Sequence, residues 1–201
     1  MSQRRPTRDT ARRLAEELNA RVQGRFIDRL WRTARDQVLI RFAGQKERLL
    51  VQVGIELTTL AWTKTWPETP SRPDYETIQL RAHLEGARVS EVRLEEDRRI
   101  VLHLTRGDGH RCLSIQVAGR LPNVALWSGD EQLGVALRPD RPPRDPGAPP
   151  LRPGETWSTQ REDWLSAYSE MALRAIAAAD LERARTPLAR AARSWRKRAI
   201  R

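Results

Sequence analysis

The 201 residues carry 37 lysines and arginines against 26 acids, a net charge of +11, with 5% aromatic residues and one cysteine. That length suits one domain with appendages and supplies modest material for a core. A single cysteine excludes an internal disulfide, three scattered histidines supply no metal-ligand cluster, no apolar run is long enough to cross a bilayer, and the opening Met1-Ser2-Gln3 begins no secretory signal; a cytosolic protein without metal or cofactor is expected.

Residues 1–35 hold ten arginines against four acids. Within them Leu14, Leu18 and Val22 recur every fourth residue on one helical stripe, and Gly24 is placed to end that helix. Arg25, Asp28 and Arg29 open the first strand, where alternation would put Arg25 and Arg29 on one face, as a phosphate track or a salt-bridge ladder. Val38, Ile40 and Phe42 then alternate with polar or outward positions, 43–46 supplies a turn, and Leu49, Val51 and Val53 resume the pattern as a hairpin. A second helix is predicted from Asp74 to about Glu85, with Ile78, Leu80 and Leu84 as its apolar side and Gly86 at its end.

Strands follow. Ile100, Leu102 and Leu104 alternate, Gly107-Asp108-Gly109 turns the chain, and Leu113, Ile115 and Val117 return, with Cys112 as a small packing residue in that strand. Val124 and Leu126 lead to a turn at Gly129-Asp130, and Leu133, Val135 and Leu137 come after it. Residues 90–138 thus read as an antiparallel meander with one buried face. Two helices against such strands predict an α+β domain over 11–138. Seven of the thirteen prolines fall between Pro139 and Pro153, so 139–157 reads as a semi-rigid extended linker. In the helical, basic tail at 158–201, Trp164, Tyr168, Met171 and Ile176 are spaced for a helix that Pro187 interrupts. Its last stretch, 185–201, holds seven basic residues and no acid, and such ends attract phosphates without reading sequence.

The segment from Ala82 to Val101, AHLEGARVSEVRLEEDRRIV, resembles the signature of the NFACT N-terminal domain, also called fibronectin-binding-protein-A-like. In that signature a helix ending in His-Leu-Glu-Gly-x-Arg leads to a strand with an Asp-Arg pair before Ile-Val. Gly24-Arg25-Phe26-Ile27-Asp28-Arg29-Leu30 and Gly119-Arg120-Leu121-Pro122-Asn123-Val124 are similar to two further family segments, in the same order. The resemblance implies an antiparallel β-sandwich like the N-terminal domain of formamidopyrimidine-DNA glycosylases. It also implies a role with tRNA on large ribosomal subunits that carry a stalled nascent chain, where family members recruit alanyl-tRNA. The helix-hairpin-helix module usual after the linker is expected to be absent or much shortened here, and 188–201 resembles the opening of a coiled-coil arm.

Three functions are compatible with this resemblance. The glycosylase-like fold raises base-excision lyase chemistry, which needs an N-terminal proline amine; the first proline here is Pro6, and no other catalytic arrangement is present, so no catalytic residue and no enzyme activity is expected. Adhesion is suggested by the family's older name and by Arg106-Gly107-Asp108, a triplet a hairpin turn already explains. RNA binding rests on Asp97, Arg98 and Arg99, since a guanidinium can grip a phosphate bidentately or stack on a base while a neighbouring carboxylate orients it. Anchoring the motif on Asp-Arg makes Arg99 an insertion; anchoring it on Ile-Val moves the family's Asp-Arg onto Arg98-Arg99, and a one-residue slip reverses the faces. Both arginines are expected at the surface. His83, Glu85 and Arg88 read as helix closure or as RNA contacts, and Arg120 and Asn123 as further RNA contacts, with Asn123 holding a turn and Pro122 replacing the family's serine.

Overall fold

The computed structural model describes residues 7–34, 36–54, 58–65, 72–95, 98–117, 122–129, 131–135, 168–178 and 181. Helix α1 (Arg8–Val22) starts where Thr7 accepts a hydrogen bond from the Thr10 amide, at 3.2 Å, with Asp9 in its first turn and Arg21 in its last, each charge matched to the helix dipole. Its buried stripe is Ala11, Leu14, Ala15, Leu18 and Val22. Four strands follow, β1 (Ile27–Ala34), β2 (Gln37–Phe42), β3 (Arg48–Val53) and β4 (Thr58–Thr63), in the sheet order β1-β2-β3-β4, every pair antiparallel. The run Thr58–Thr63 carries too little alternation to stand out in the sequence, yet all six residues are buried as β4.

Helix α2 (Tyr75–Leu84) is capped by Asp74, whose carboxylate accepts from the Thr77 amide at 2.8 Å. Here the expected apolar side needs correcting: Leu80 and Leu84 are buried, but their companion is Thr77, and Ile78 is half exposed. Ile78 and Leu80 are two residues apart, about 200° around a helix, and cannot share one face. The chain then forms β5 (Arg88–Leu94), β6 (Arg99–Arg106), β7 (Gly109–Gln116), β8 (Asn123–Ser128) and β9 (Glu131–Val135), a five-stranded antiparallel meander in sequence order. Residues 168–178 are helical as well. The linker 139–157, Trp164, Pro187 and the 188–201 segment lie outside the described residues.

The two sheets meet at one seam. Gly24 donates to the Val89 carbonyl, Val89 to Arg25, Ile27 to Ala87 and Gly86 to Ile27, all between 2.7 and 2.8 Å. One core serves both sheets: Val38, Ile40 and Phe42 with Leu49 and Val51 from the first; Val92, Ile100, Leu102, Leu104, Leu113 and Leu126 from the second; and the buried stripes of α1 and α2. Each fully buried Leu or Ile contributes about 1.5–3 kcal/mol relative to exposure, so this shared core couples the sheets into one α+β body, as the alternation predicts. On the far side of the first sheet Leu39 and Leu50 pack against Ile176, while Tyr168 bonds Thr59 and Ser169 accepts from the Trp62 amide. The C-terminal helix therefore covers the edge strand β4, which would otherwise leave unpaired backbone groups open to other chains.

Candidate nucleic-acid interface

Glu95 follows β5 and Arg99 begins β6, and the connection between them is closed by two backbone bonds. Glu95 donates to the Arg99 carbonyl at 2.8 Å, and Arg98 donates to the Glu95 carbonyl at 3.1 Å. This geometry forces the last turn residue into the left-handed region, and Arg98 has φ of 62°. Among the described residues the other positive φ values belong to glycines, at 24, 44, 86, 107 and 129. A left-handed conformation costs a side-chain-bearing residue roughly 1–2 kcal/mol, so an arginine here carries strain that glycine would avoid.

The same turn resolves the register of the two arginines. Arg98 belongs to the turn and is exposed, whereas Arg99 is the first residue of β6, opposite Gln116, and only 4% exposed. The expectation that both lie at the surface holds for Arg98 alone: alternation puts Ile100, Leu102 and Leu104 into the shared core, and the opposite face of β6, with Arg99, Val101 and His103, is buried too. Gln116 is in turn opposite Asn123, so Arg99, Gln116 and Asn123 form one cross-strand row. Asn123 is the first residue of β8 and buried. Asp97 and Arg120 lie outside the described residues.

Around the C-terminal end of α2, the guanidinium of Arg106 donates to the Ala82 carbonyl and that of Arg111 to the His83 carbonyl, at 3.1 Å for the second. Cations at this end satisfy orphan carbonyls and complement the helix dipole. Burial, then Arg111 and Arg106, push the His83 proton affinity below its ordinary value. Arg106 of the Arg-Gly-Asp triplet is thus engaged with a helix end.

Arg25 is committed inward: its Nε donates to the Arg21 carbonyl at 2.8 Å and its Nη1 to that of Ala43 at 3.2 Å. An alanine at Gly44 would bring its Cβ to 2.9 Å from that same nitrogen, which together with φ of 75° favours glycine at the β2–β3 turn. A register shift between Ile27 and Arg29 interrupts the alternation, so Arg25 and Arg29 do not form the single track expected of them. Arg29 is exposed, 3.6 Å from Glu85, and Arg88 is exposed with its Nε donating to the Gly24 carbonyl at 3.2 Å.

Sequence reading missed Arg41 and Arg48. Strand pairing sets Arg29 opposite Arg41 and Arg41 opposite Arg48 on the outward face of the first sheet; both sit on alternating strands where the outward polar residue carried no separate signal. Elsewhere, Arg32 is buried and paired with Asp74 at 2.8 Å and Glu76 at 3.3 Å, which locks β1 to the start of α2. Cys112 lies 3.3 Å from His103 Nδ1, but burial and then Glu95 push its thiol up to about 11, so it is protonated and a poor nucleophile, in keeping with a packing role. A cavity of about 10 Å³ is lined by Leu14, Leu18, Leu49, Leu60, Ala61, Trp62 and Ser169, a size that holds at most a water. No described group of three or more His, Cys, Asp or Glu could hold a metal, and no described helix is long and apolar enough to cross a membrane.

A family model for NFACT N-terminal and middle domains matches residues 10–138. Among solved structures, the chain is similar to the N-terminal domain of fibronectin-binding protein PavA from Streptococcus pneumoniae, with a TM-score of 0.58 and 20% identity over 73% of this chain and 58% of that one. It is also similar to the N-terminal part of the fibronectin/fibrinogen-binding protein from Streptococcus suis, with a TM-score of 0.56 and 18% identity over 73% and 60%. The fibrinogen binding protein from Staphylococcus aureus aligns with a TM-score of 0.54 and 18% identity over 70% and 55%. At these identities the likeness establishes the fold, and the chain spans less than two thirds of each structure's length. No curated protein matches.

Proposed function

The chain belongs to the family of NFACT N-terminal and middle domains, and from that premise we propose that it is a non-enzymatic RNA-binding adaptor. On this reading it works in the cytosol, binds tRNA, alanyl-tRNA by family resemblance, together with the large ribosomal subunit, and serves the rescue of stalled translation. The observation that carries the reading is Arg98: an exposed arginine held at φ of 62°, at the tip of the hairpin bearing the family signature, in a place where glycine would be more stable. Strain of this kind persists where a side chain is needed in one direction, and an arginine presented on a rigid turn suits a phosphate or an unstacked base. Arg99 is buried one residue later, and Asp97 is proposed with the pair as the carboxylate that orients the exposed guanidinium.

Adhesion, raised by the names of the similar structures, is less well supported, because Arg106 is engaged by the Ala82 carbonyl. The test is anisotropy binding of labelled tRNA to the full chain across a salt series, with duplex DNA as competitor. Arg98→Ala is expected to weaken tRNA binding about 5- to 100-fold, in line with about 1–3 kcal/mol for a specific arginine contact, with the fold intact because the side chain is exposed. Unchanged affinity in the folded variant, or DNA competing equally at every salt concentration, would remove the turn from the interface.

A further inference from the structure

The outward face of the first sheet holds a feature that the Arg98 turn does not explain. Arg29, Arg41 and Arg48 are directly opposed across β1, β2 and β3, so three guanidiniums leave one face of the sheet from adjacent strands within roughly 10 Å. Like charges placed directly opposite one another on a sheet are destabilising. Two carboxylates moderate the repulsion, Asp28 at 2.5 Å from Arg41 and Glu85 at 3.6 Å from Arg29, and the face stays positive. Just before β1, and alternating with the core residue Ile27, is Phe26, which is 51% exposed and whose bridge partner at the seam is the exposed Arg88. An exposed phenylalanine beside a row of arginines on an antiparallel sheet has the two components of a single-strand binding face: an aromatic platform for a base and cations for the flanking phosphates.

Among the described residues, the C-terminal helix packs on the neighbouring part of the sheet. Ile176 packs on Leu39 and Leu50, the neighbouring apolar row, with Trp31 at its margin, and Arg41 lies over the Trp31 ring at 5.6 Å from its centroid. That contact fixes the middle guanidinium of the row while Arg29 remains half exposed. The face is also separate from the Arg98 turn. Arg88 opens β5 and Arg98 follows its far end, and the seven residues of β5 span about 20 Å.

We propose that the surface formed by Phe26 and the Arg29–Arg41–Arg48 row binds a single-stranded segment of RNA, with a base stacked on Phe26 and the neighbouring phosphates held by the arginines. This rests on the RNA-binding reading of the chain but assigns a second contact, at the opposite end of β5 from the first.

The experiment measures binding of the full chain to a fluorescein-labelled single-stranded oligouridylate of twelve nucleotides by anisotropy across a salt series, beside a duplex RNA of equal length. Phe26→Ala should weaken binding of the single strand about tenfold, within the range for loss of one stacked base, and Phe26→Tyr should restore it. Arg29→Gln combined with Arg48→Gln should reduce the slope of log affinity against log salt by about 1.4, two single-strand phosphate contacts. Thermal unfolding of each variant checks that the fold is retained, and Phe26→Tyr keeps the test decisive should the alanine variant be unstable. Wild-type affinity in both Phe26 variants, stronger binding of the duplex, or no binding of the single strand would overturn the proposal. Arg98→Ala separates the two sites: it should leave oligouridylate binding unchanged while weakening tRNA binding. Should Arg98→Ala leave tRNA untouched while Phe26→Ala still weakens the single strand, this face stands and the role of the turn fails; loss of oligouridylate binding in Arg98→Ala alone would overturn this face.

Discussion

Two hairpins share the strand β6, and they turn in different ways. At the β6–β7 end the chain reverses through Gly107, with φ of 57° and nothing within 4 Å of where a Cβ would sit. At the β5–β6 end it reverses through Arg98, with φ of 62°. The left-handed backbone is the same, so the difference lies in what each turn presents. The β6–β7 turn uses the residue that meets the geometry without strain, and the arginines flanking it are spent on the carbonyls of α2. The β5–β6 turn accepts strain and puts a guanidinium into solvent. One end of β6 is built to hold the fold together, the other to present a side chain.

Exchanging the turn residues would sharpen this contrast. Arg98→Gly should have effects of opposite sign: tRNA binding weakened about 5- to 100-fold, and unfolding free energy raised by up to about 1 kcal/mol once the left-handed arginine is gone, the gain trimmed by the added chain entropy of glycine. Anisotropy and denaturant unfolding of the same preparation read both, and a variant that loses stability would show that the turn is not strained. Gly107→Ala is the counterpart. With open space around the new Cβ, only backbone strain acts, and the expected loss is about 1–2 kcal/mol with tRNA binding unchanged. If chemical denaturation shows no loss there, the strain assigned to Arg98 loses its support as well.

Much of the fold was legible because alternation and capping are local. Val38-Ile40-Phe42, Ile100-Leu102-Leu104 and the Asp74 cap announce their elements in a few residues, and the structure has them in place. What was illegible depends on partners far along the chain. β4 reads as TTLAWT, a weak strand whose full burial comes from β3 on one side and Tyr168 and Ser169 on the other, more than a hundred residues away. Ile78 looked like a core residue because it is apolar, and only the rotation set by Thr77, Leu80 and Leu84 turns it outward. The candidate interface divides in the same way. The family segment points to Asp97, Arg98 and Arg99 together, and sequence alone does not separate Arg98 from Arg99, since turn and strand residues differ by a backbone angle. The row of Arg29, Arg41 and Arg48 comes from pairing register, which no single strand encodes.

β6 itself offers the smallest and last test of the comparison, because its outward residues tie the two turns together. His103 lies midway along it, only 6% exposed, opposite Cys112 and beside Arg93, Glu91 and His110. Burial foremost, and then Arg93, depress its proton affinity below the ordinary 6.5, against a smaller opposing pull from Glu91. His83, near the β6–β7 turn, is depressed in the same direction. The unfolded chain therefore takes up protons near pH 6.5 that the folded chain resists, so stability is fully present above that pH and falls as pH drops below it. Replacing His103 with glutamine should flatten this slope in denaturant unfolding measured at several pH values. An unaltered slope in that variant would mean that the strand between the two turns takes up its proton without strain, and that His83 or the carboxylates set the acid limit.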